Sequence, residues 1–374
     1  VALELGAASL VGDEVVATPY GLVRLEHSFP DDESSTLLFD ALDVQRATQA
    51  WLWSIPLVGF AYWRDQQAEV FDAHRFGDVV VYDTLREKRG IVTANLTTPY
   101  MINFTALEPG RPLVIDYPAG ATAGGILDFW QRPLTDMGLT GPDQGAGGRF
   151  VVLAPGDDPA GVDFPDAYVV ASETANVFIA FRILDPEPAA MEAAKTGLRM
   201  HRWPDQGGDP VQFIEGVDRE WDATPPRGLA YWECLASVLA QEPVREVDRI
   251  MIAMLEPLGL VPGRPFAPDS RQCRLLEQGA ALGELMTRNI QINPRHAVPY
   301  WPGTTWYRCL DFPTSQHDSA KVYLDERAAW FYEAVTSSRG MADPQPGDGQ
   351  VYMTSKRDSS GRLVRADRDY RIHI

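Results

Sequence analysis

The feature that most constrains this chain is a run of short apolar segments between Val79 and Leu184, each closed by turn-forming residues. The segments read DVVVYDT, RGIVTAN, YMINFTAL, PLVIDYP, GGRFVVLAPG, AYVVASET and NVFIAFRIL, with Gly90, Pro109-Gly110 and Pro118 to Gly120 between them. Short segments rich in β-branched and aromatic residues, bounded by Gly and Pro, read as strands. No helical pattern alternates with them, which argues against a doubly wound parallel sheet. A β-sandwich or partly closed barrel is expected instead, with AYVVASET and NVFIAFRIL as an antiparallel pair.

The rest of the chain frames that run. Residues 1–35 predict one or two strands. Asp40 can cap a helix from Leu42 to about Trp63, buried against a sheet and kinked or divided at Pro56. After Asp185 the texture turns helical. PEPAAMEAAKTGLRMHRW opens like a helix, and 205–222 is irregular. LAYWECLASVLAQEP, EVDRIMIAMLEPLGL and SRQCRLLEQGAALGELMTRNI carry apolar residues at i, i+3, i+4. Pro243 and Pro257 end two of these helices, and Asp269 or Ser270 caps the third. Strand texture returns in HAVPYWPGTTWYRCLDF. A short helix follows in DERAAWFYEAVTSS, then two strands around a DSSG turn, the last carrying Tyr370, Ile372 and Ile374. The expectation is an α+β, mainly β fold with two β-sandwich or jelly-roll-like domains. Residues 1–185 form the first, 186–295 a helical connecting region, and 296–374 the start of the second.

A chain of 374 residues is large for one core. Its 33 Lys and Arg against 52 Asp and Glu give a net charge of −19, which repels phosphate backbones and anionic lipid heads. Nucleic acid and membrane surfaces are therefore not expected as partners. No run of eighteen apolar residues exists to span a bilayer, and VALELGAASLVGDEVV lacks the basic start of an intact signal peptide. Cys234, Cys273 and Cys309 lie too far apart for a local zinc knuckle, and the first two fall in amphipathic patterns that suit buried thiols. No two histidines stand four apart, and neither a GxSxG elbow nor a phosphate-binding loop is present. Neither a metal nor a cofactor is expected. His201 and His296, each beside arginine, are the histidines closest to a functional setting.

Several long stretches point to a family. They are FDALDVQRATQAWLWSIPLVGF, NLTTPYMINFTAL, FWQRPLTDMGLTGPDQGAGGRFVVLAPG, QEPVREVDRIMIAMLEPLGLVPGRPFAPD, YLDERAAWFYEAV and GDGQVYMTSKRDSSGRLVRADRDYRIHI. In this order the chain, from about Thr18 onward, resembles the mostly bacterial group built from the domains of unknown function numbered 1254 and 1214. The resemblance implies two β-sandwich-like domains with helices between and around them. It favours a periplasmic or secreted location, and brings no agreed activity. It also implies further strands beyond YRIHI, so a second chain or a second copy is expected to complete the C-terminal sheet.

Candidate chemistry gathers in Thr93 to Gly156. Asn95, Thr97, Thr98 and Tyr100 stand at a strand entrance, and Trp130, Gln131, Arg132 and Asp136 combine a ring, an amide, a guanidinium and a carboxylate. The opposite wall of a cleft would come from Tyr300, Trp301, Trp306 and Arg327, with Arg182 between. In this reading Asp136 and Tyr100 do acid–base work and Arg132 stabilises an anion, as a hydrolase or lyase on a small polar-aromatic or sugar-like molecule requires. Asn95, Trp130, Gln131, Arg182, Tyr300, Trp301, Trp306 and Arg327 would bind that ligand. The same residues allow plainer roles. Arg132 and Asp136, four apart, can pair and pin their loop, and Asn95 can cap a turn. The alternative function is a non-catalytic binding or assembly protein that uses the aromatic walls or an open strand edge after Tyr370.

Overall fold

A computed structural model describes residues 9–372 except 162, 206–210, 218, 296, 309–311, 339–340 and 342–351. His296, Cys309 and His373 lie outside the described residues, as does part of the second sandwich expected from 296 onward. The chain opens with strands β1 (Glu14–Thr18), β2 (Gly21–Glu26) and β3 (Phe29–Pro30), a small antiparallel sheet.

Helix α1 (Asp32–Phe71) follows, and it is longer than the sequence suggested at both ends. Its cap is Asp31, whose carboxylate accepts the Ser34 N–H at 2.8 Å, with Asp32 and Glu33 in the electropositive first turn. At 1.5 Å per residue it runs about 60 Å. Pro56 does not divide it. Donors from other parts of the chain reach carbonyls in the same stretch of helix. Tyr231 Oη donates to the Trp51 carbonyl at 3.1 Å, Arg327 Nη2 to that of Trp53, and Gln131 Nε2 to that of Pro56 at 2.9 Å.

The strand run follows as β4 (Asp78–Tyr82), β5 (Tyr100–Ala106), β6 (Leu113–Tyr117), β7 (Thr122–Asp128), β8 (Pro133–Gly138), β9 (Gly148–Leu153), β10 (Ala167–Ala171) and β11 (Asn176–Ile183). Helix α2 (Pro188–Gly197) leads to β12 (Arg199–Arg202) and β13 (Gln212–Glu215). These strands form a six-stranded sheet in the order β13-β4-β5-β11-β7-β8 and a four-stranded sheet in the order β10-β9-β6-β12. The expected pairing of β10 with β11 does not occur. β10 runs parallel to β9, whereas β11 lies between β5 and β7, because the chain changes sheets over Ser172–Ala175. RGIVTAN is not a strand either. A 3-10 turn (Glu87–Gly90) occupies its start, and Trp221 covers Gly90, donating its indole N–H to the Glu87 carbonyl at 2.7 Å.

The two sheets enclose one core of Val79, Met101, Ile115, Ile126, Phe150, Val177, Ile179 and Phe181. Alternation sends Phe178 and Ala180 to the other face of the six-stranded sheet, where Phe60 and Trp63 of α1 pack on Phe178. Burial on both faces explains why NVFIAFRI reads as almost continuously apolar. The remaining helices α3 (Leu229–Leu239), α4 (Arg249–Leu255) and α5 (Ser270–Ile292) lie against α1. A Cβ on Gly279 of α5 would stand 2.2 Å from that of Ala47, so glycine sets this close approach. Last come β14 (Tyr307–Arg308), α6 (Leu324–Phe331) and β15 (Met353–Thr354), which pairs with β14. The fold is α+β, a helical layer on a two-sheet sandwich.

Asp269 caps α5 with a full capping box through Gln272. The DSSG turn forms between Arg357 and Leu363. Tyr370 to Ile372 are not in a strand, and Ile372 is exposed. No helix among the described residues is long and apolar enough to cross a membrane.

Candidate functional site

Side chains that alternate to the helix-facing side of the six-stranded sheet line up across β5, β11 and β7 in three rows. The first is Phe104, Phe178 and Leu127; the second is Ile102, Ala180 and Gly125; the third is Tyr100, Arg182 and Ala123. The first row packs under α1. The second holds two of the smallest residues side by side, and they leave a hollow. Gly125 cannot grow to fill it, since a Cβ there would meet the Thr135 carbonyl oxygen at 2.7 Å. Glycine inside a strand often marks such a place of close approach. The loop at Ile91–Asn95 and the segment from Glu333 to Ser338, with Met341 and Tyr352, close the other side. The cavity so formed has a volume of about 320 Å³. Small-molecule sites start at about this size.

The third row carries its polar groups. Tyr100 Oη accepts the Asn95 backbone N–H at 3.2 Å and Asn95 Nδ2–H at 2.8 Å. Asn95 is itself held, because its Oδ1 accepts from the backbone of Thr97 and Thr98 and from Thr98 Oγ1, each at 3.0 Å. Burial raises the Tyr100 pKa above its ordinary range, against the opposing effect of Asn95 and the Arg182 charge. Its hydroxyl therefore stays protonated. With the phenol oxygen already accepting twice, its O–H is the group left to donate. Lys88 backs the ring from 5.4 Å and donates to the Thr98 carbonyl at 2.7 Å, and burial lowers its pKa.

Among the described residues two charged side chains line the cavity, Arg182 and Glu333. Glu333 is compensated: Lys356 Nζ lies 3.0 Å from its Oε2, and Gln291 Nε2 donates to Oε1 at 3.2 Å. Arg182 is half-buried beside Tyr100 and forms no hydrogen bond or ion pair among the described residues.

The other residues expected at the site stand elsewhere. Asp128 to Arg132 form the tight turn between β7 and β8, with Gln131 at φ 61°. Arg132 Nε donates to Asp128 Oδ2 at 2.6 Å and Nη2 to Glu173 at 2.7 Å, so its partner lies four residues before it rather than at Asp136. Trp130 is 2% exposed, with Arg245 at 4.5 Å and Arg327 at 5.3 Å from its ring and Trp53 at 4.9 Å. Gln131 binds α1 as described, and Ser337 Oγ donates to the Gln131 carbonyl at 2.7 Å. Arg327 is wholly buried, and that burial pulls its pKa down to about 9, so it remains charged at neutral pH. These groups pin the sheet, α1, α4 and α6 together, and of them Trp130, Gln131, Arg132 and Arg327 do not line the cavity.

Asp136 is buried in β8 opposite Gly125 and does not line it either. Tyr300 and Trp306 face each other across a turn, Tyr300 N–H donating to the Trp306 carbonyl at 2.9 Å. Tyr300 does not line the cavity, and its hydroxyl donates to the carbonyl of Tyr352, which does, at 3.1 Å. Trp301 is exposed, and Trp306 lines a separate surface hollow with Asn293 and Arg357. Of the expected residues, then, Asn95, Tyr100 and Arg182 meet at the cavity. Glu333 and the small pair Ala180 and Gly125 are additions, and the Gly124-Gly125 doublet inside a strand was their one visible signal. Among the described residues no group of three or more His, Cys, Asp or Glu is arranged to hold a metal ion. Cys234 is a half-buried thiol rather than a fully buried one, its pKa pushed up to about 12 by burial.

The cavity's floor and its polar end come from one stretch of sequence. Residues 76–201 match the model of a family described as proteins of unknown function, DUF1254. This DUF1254 region contains Asn95, Tyr100, Gly125, Ala180 and Arg182, whereas the roof formed by Glu333 to Ser338, Met341 and Tyr352 lies outside it. No curated protein matches the chain. Among solved structures it is similar to the crystal structure of the VPA0106 protein from Vibrio parahaemolyticus. The two share 15% identity with a TM-score of 0.52, over 79% of this chain and 68% of that one. At that identity the likeness is one of fold.

Proposed function

We propose that this protein binds a small, partly apolar molecule in the cavity between the six-stranded sheet and the segment after α6. The observation that carries the reading is Tyr100. Its oxygen is occupied by two donors from Asn95 and its O–H is kept for the cavity. Ile102, Leu127, Phe178 and Val335 offer an apolar lining around that polar end. A few polar groups in an apolar concavity is the usual make-up of a ligand site. The residues that close the cavity belong, in this reading, to the start of a second domain of the 1214 type.

A hydrolase or lyase reaction in the same cavity is the second reading. It is favoured by a protonated Tyr100 and a carboxylate, Glu333, on one lining. It requires Glu333 to act as a base despite its contact with Lys356.

The test is Ala180→Leu, which adds bulk to the row of small residues without touching a polar group. Small amphipathic compounds that bind the wild-type protein, found by native mass spectrometry, are expected to lose binding in the variant. Compounds that bind Ala180→Leu equally well bind somewhere else, and that result ends the proposal.

A further inference from the structure

We infer that the ligand of this cavity is a monocarboxylate with an apolar body, its carboxylate held by Arg182 and Tyr100. The inference rests on the binding function proposed above and adds the charge and class of the ligand.

Arg182 has an unusual environment for this chain. Asp and Glu number 52 against 33 Lys and Arg, so carboxylates are in excess. Most other arginines of limited exposure have found them, and the buried Arg327 instead donates to the Trp53 carbonyl and the Gln316 amide oxygen. Arg132 contacts Asp128 and Glu173, Arg245 contacts Asp248, and Arg271 contacts Asp40 and Asp43. Arg182 faces a cavity and has none of these contacts among the described residues. A guanidinium offers five N–H donors in a planar fork, and a carboxylate matches that fork with two oxygens. The Tyr100 O–H is the further donor, one strand away in direct register. Together they can satisfy both carboxylate oxygens.

The remaining lining restricts the ligand further. Glu333 already has its counter-charge in Lys356, so among the described residues the uncompensated charge lining the cavity is the positive one of Arg182. A dianion such as a phosphate monoester would leave one charge unanswered in a largely apolar space, which is costly. No second cation lines the cavity among the described residues. One negative charge, two acceptor oxygens and an aryl or branched alkyl body fit what is there.

The experiment compares acids with their neutral amides. Benzoate, hexanoate, benzamide and hexanamide are titrated against wild type, Arg182→Met and Arg182→Lys by ligand-observed NMR. The acids are expected to bind the wild type tighter than the amides by roughly tenfold or more, the worth of a hydrogen bond to a charged group. Arg182→Met should erase that preference while keeping amide binding, and Arg182→Lys should restore part of it. Acid binding to wild type should also weaken as pH falls through the acid's own pKa. Equal binding of acid and amide to wild type overturns the carboxylate assignment and leaves the cavity as a neutral-ligand site. An acid preference that survives in Arg182→Met overturns the assignment of the carboxylate to Arg182. Failure of all four compounds to bind wild type overturns the assignment and the binding function with it. Should Arg182→Met not fold, the acid–amide ratio in wild type and its pH dependence decide the matter.

Discussion

Arg132 and Arg182 flank the same six-stranded sheet, and their surroundings are opposite. Arg132 is enclosed by Asp128 and Glu173, next to a Trp130 ring that also receives Arg245 and Arg327. Arg182 stands beside Tyr100 at a cavity and meets no carboxylate among the described residues. The first arrangement uses charge to hold elements together, and every donor spent there is unavailable to a ligand. The second leaves donors unspent. The comparison separates a residue that keeps the fold from one that is free to recognise something.

The largest effect that tests this division is on stability. Arg132→Met strands the Asp128 carboxylate, which is 1% exposed, and removing one partner of such a pair costs about 3–5 kcal/mol. Arg182→Met in the same urea titration should stay within about 0.5 kcal/mol of wild type. Similar losses for both would break the comparison. Tyr100→Phe comes next. It removes the acceptor for two Asn95 donors, at a cost of about 1–3 kcal/mol. A loss as large as that of Arg132→Met would class Tyr100 with the pinning residues.

The smallest effect is a slope. Burial raises the Glu242 pKa while its carboxylate accepts the Asn176 backbone N–H at 3.1 Å and Asn176 Nδ2–H at 2.7 Å. A raised folded pKa means the native state holds the proton more tightly than the unfolded chain. The stabilisation is full below the unfolded value of about 4.3 and falls as pH rises through the window above it. Glu242→Gln does not titrate. Its stability deficit relative to wild type should therefore narrow between pH 4 and 7 in denaturant titrations, and a constant or widening deficit would contradict the assignment.

Much of the frame could be read from residues alone. The strands rich in valine and phenylalanine, the i, i+3, i+4 spacing of α3, α4 and α5, and the cap at Asp269 are local signals with local outcomes. Strand pairing was not local. Nothing in AYVVASET or NVFIAFRI says that one joins β9 in parallel while the other enters a different sheet. The start of α1 was missed because Pro30 and the acidic run after it look like a loop, although the same run is a good capping sequence. At the site, Arg132 and Arg182 are equally plausible in sequence. Only strand register puts Arg182 beside Tyr100, and only the return of residues 333–338 closes a cavity above them.

The proline in the middle of α1 has a consequence for how this protein assembles. The donors that reach that part of the helix arrive from Gln131, Tyr231 and Arg327, which belong to the sheet turn, to α3 and to α6. No neighbouring stretch of chain supplies them. These contacts to the middle of the longest helix form only when three segments far apart in sequence have all docked. This couples early and late parts of the chain into one cooperative unit, with the apparent weak point of the helix as the place where their arrival is registered.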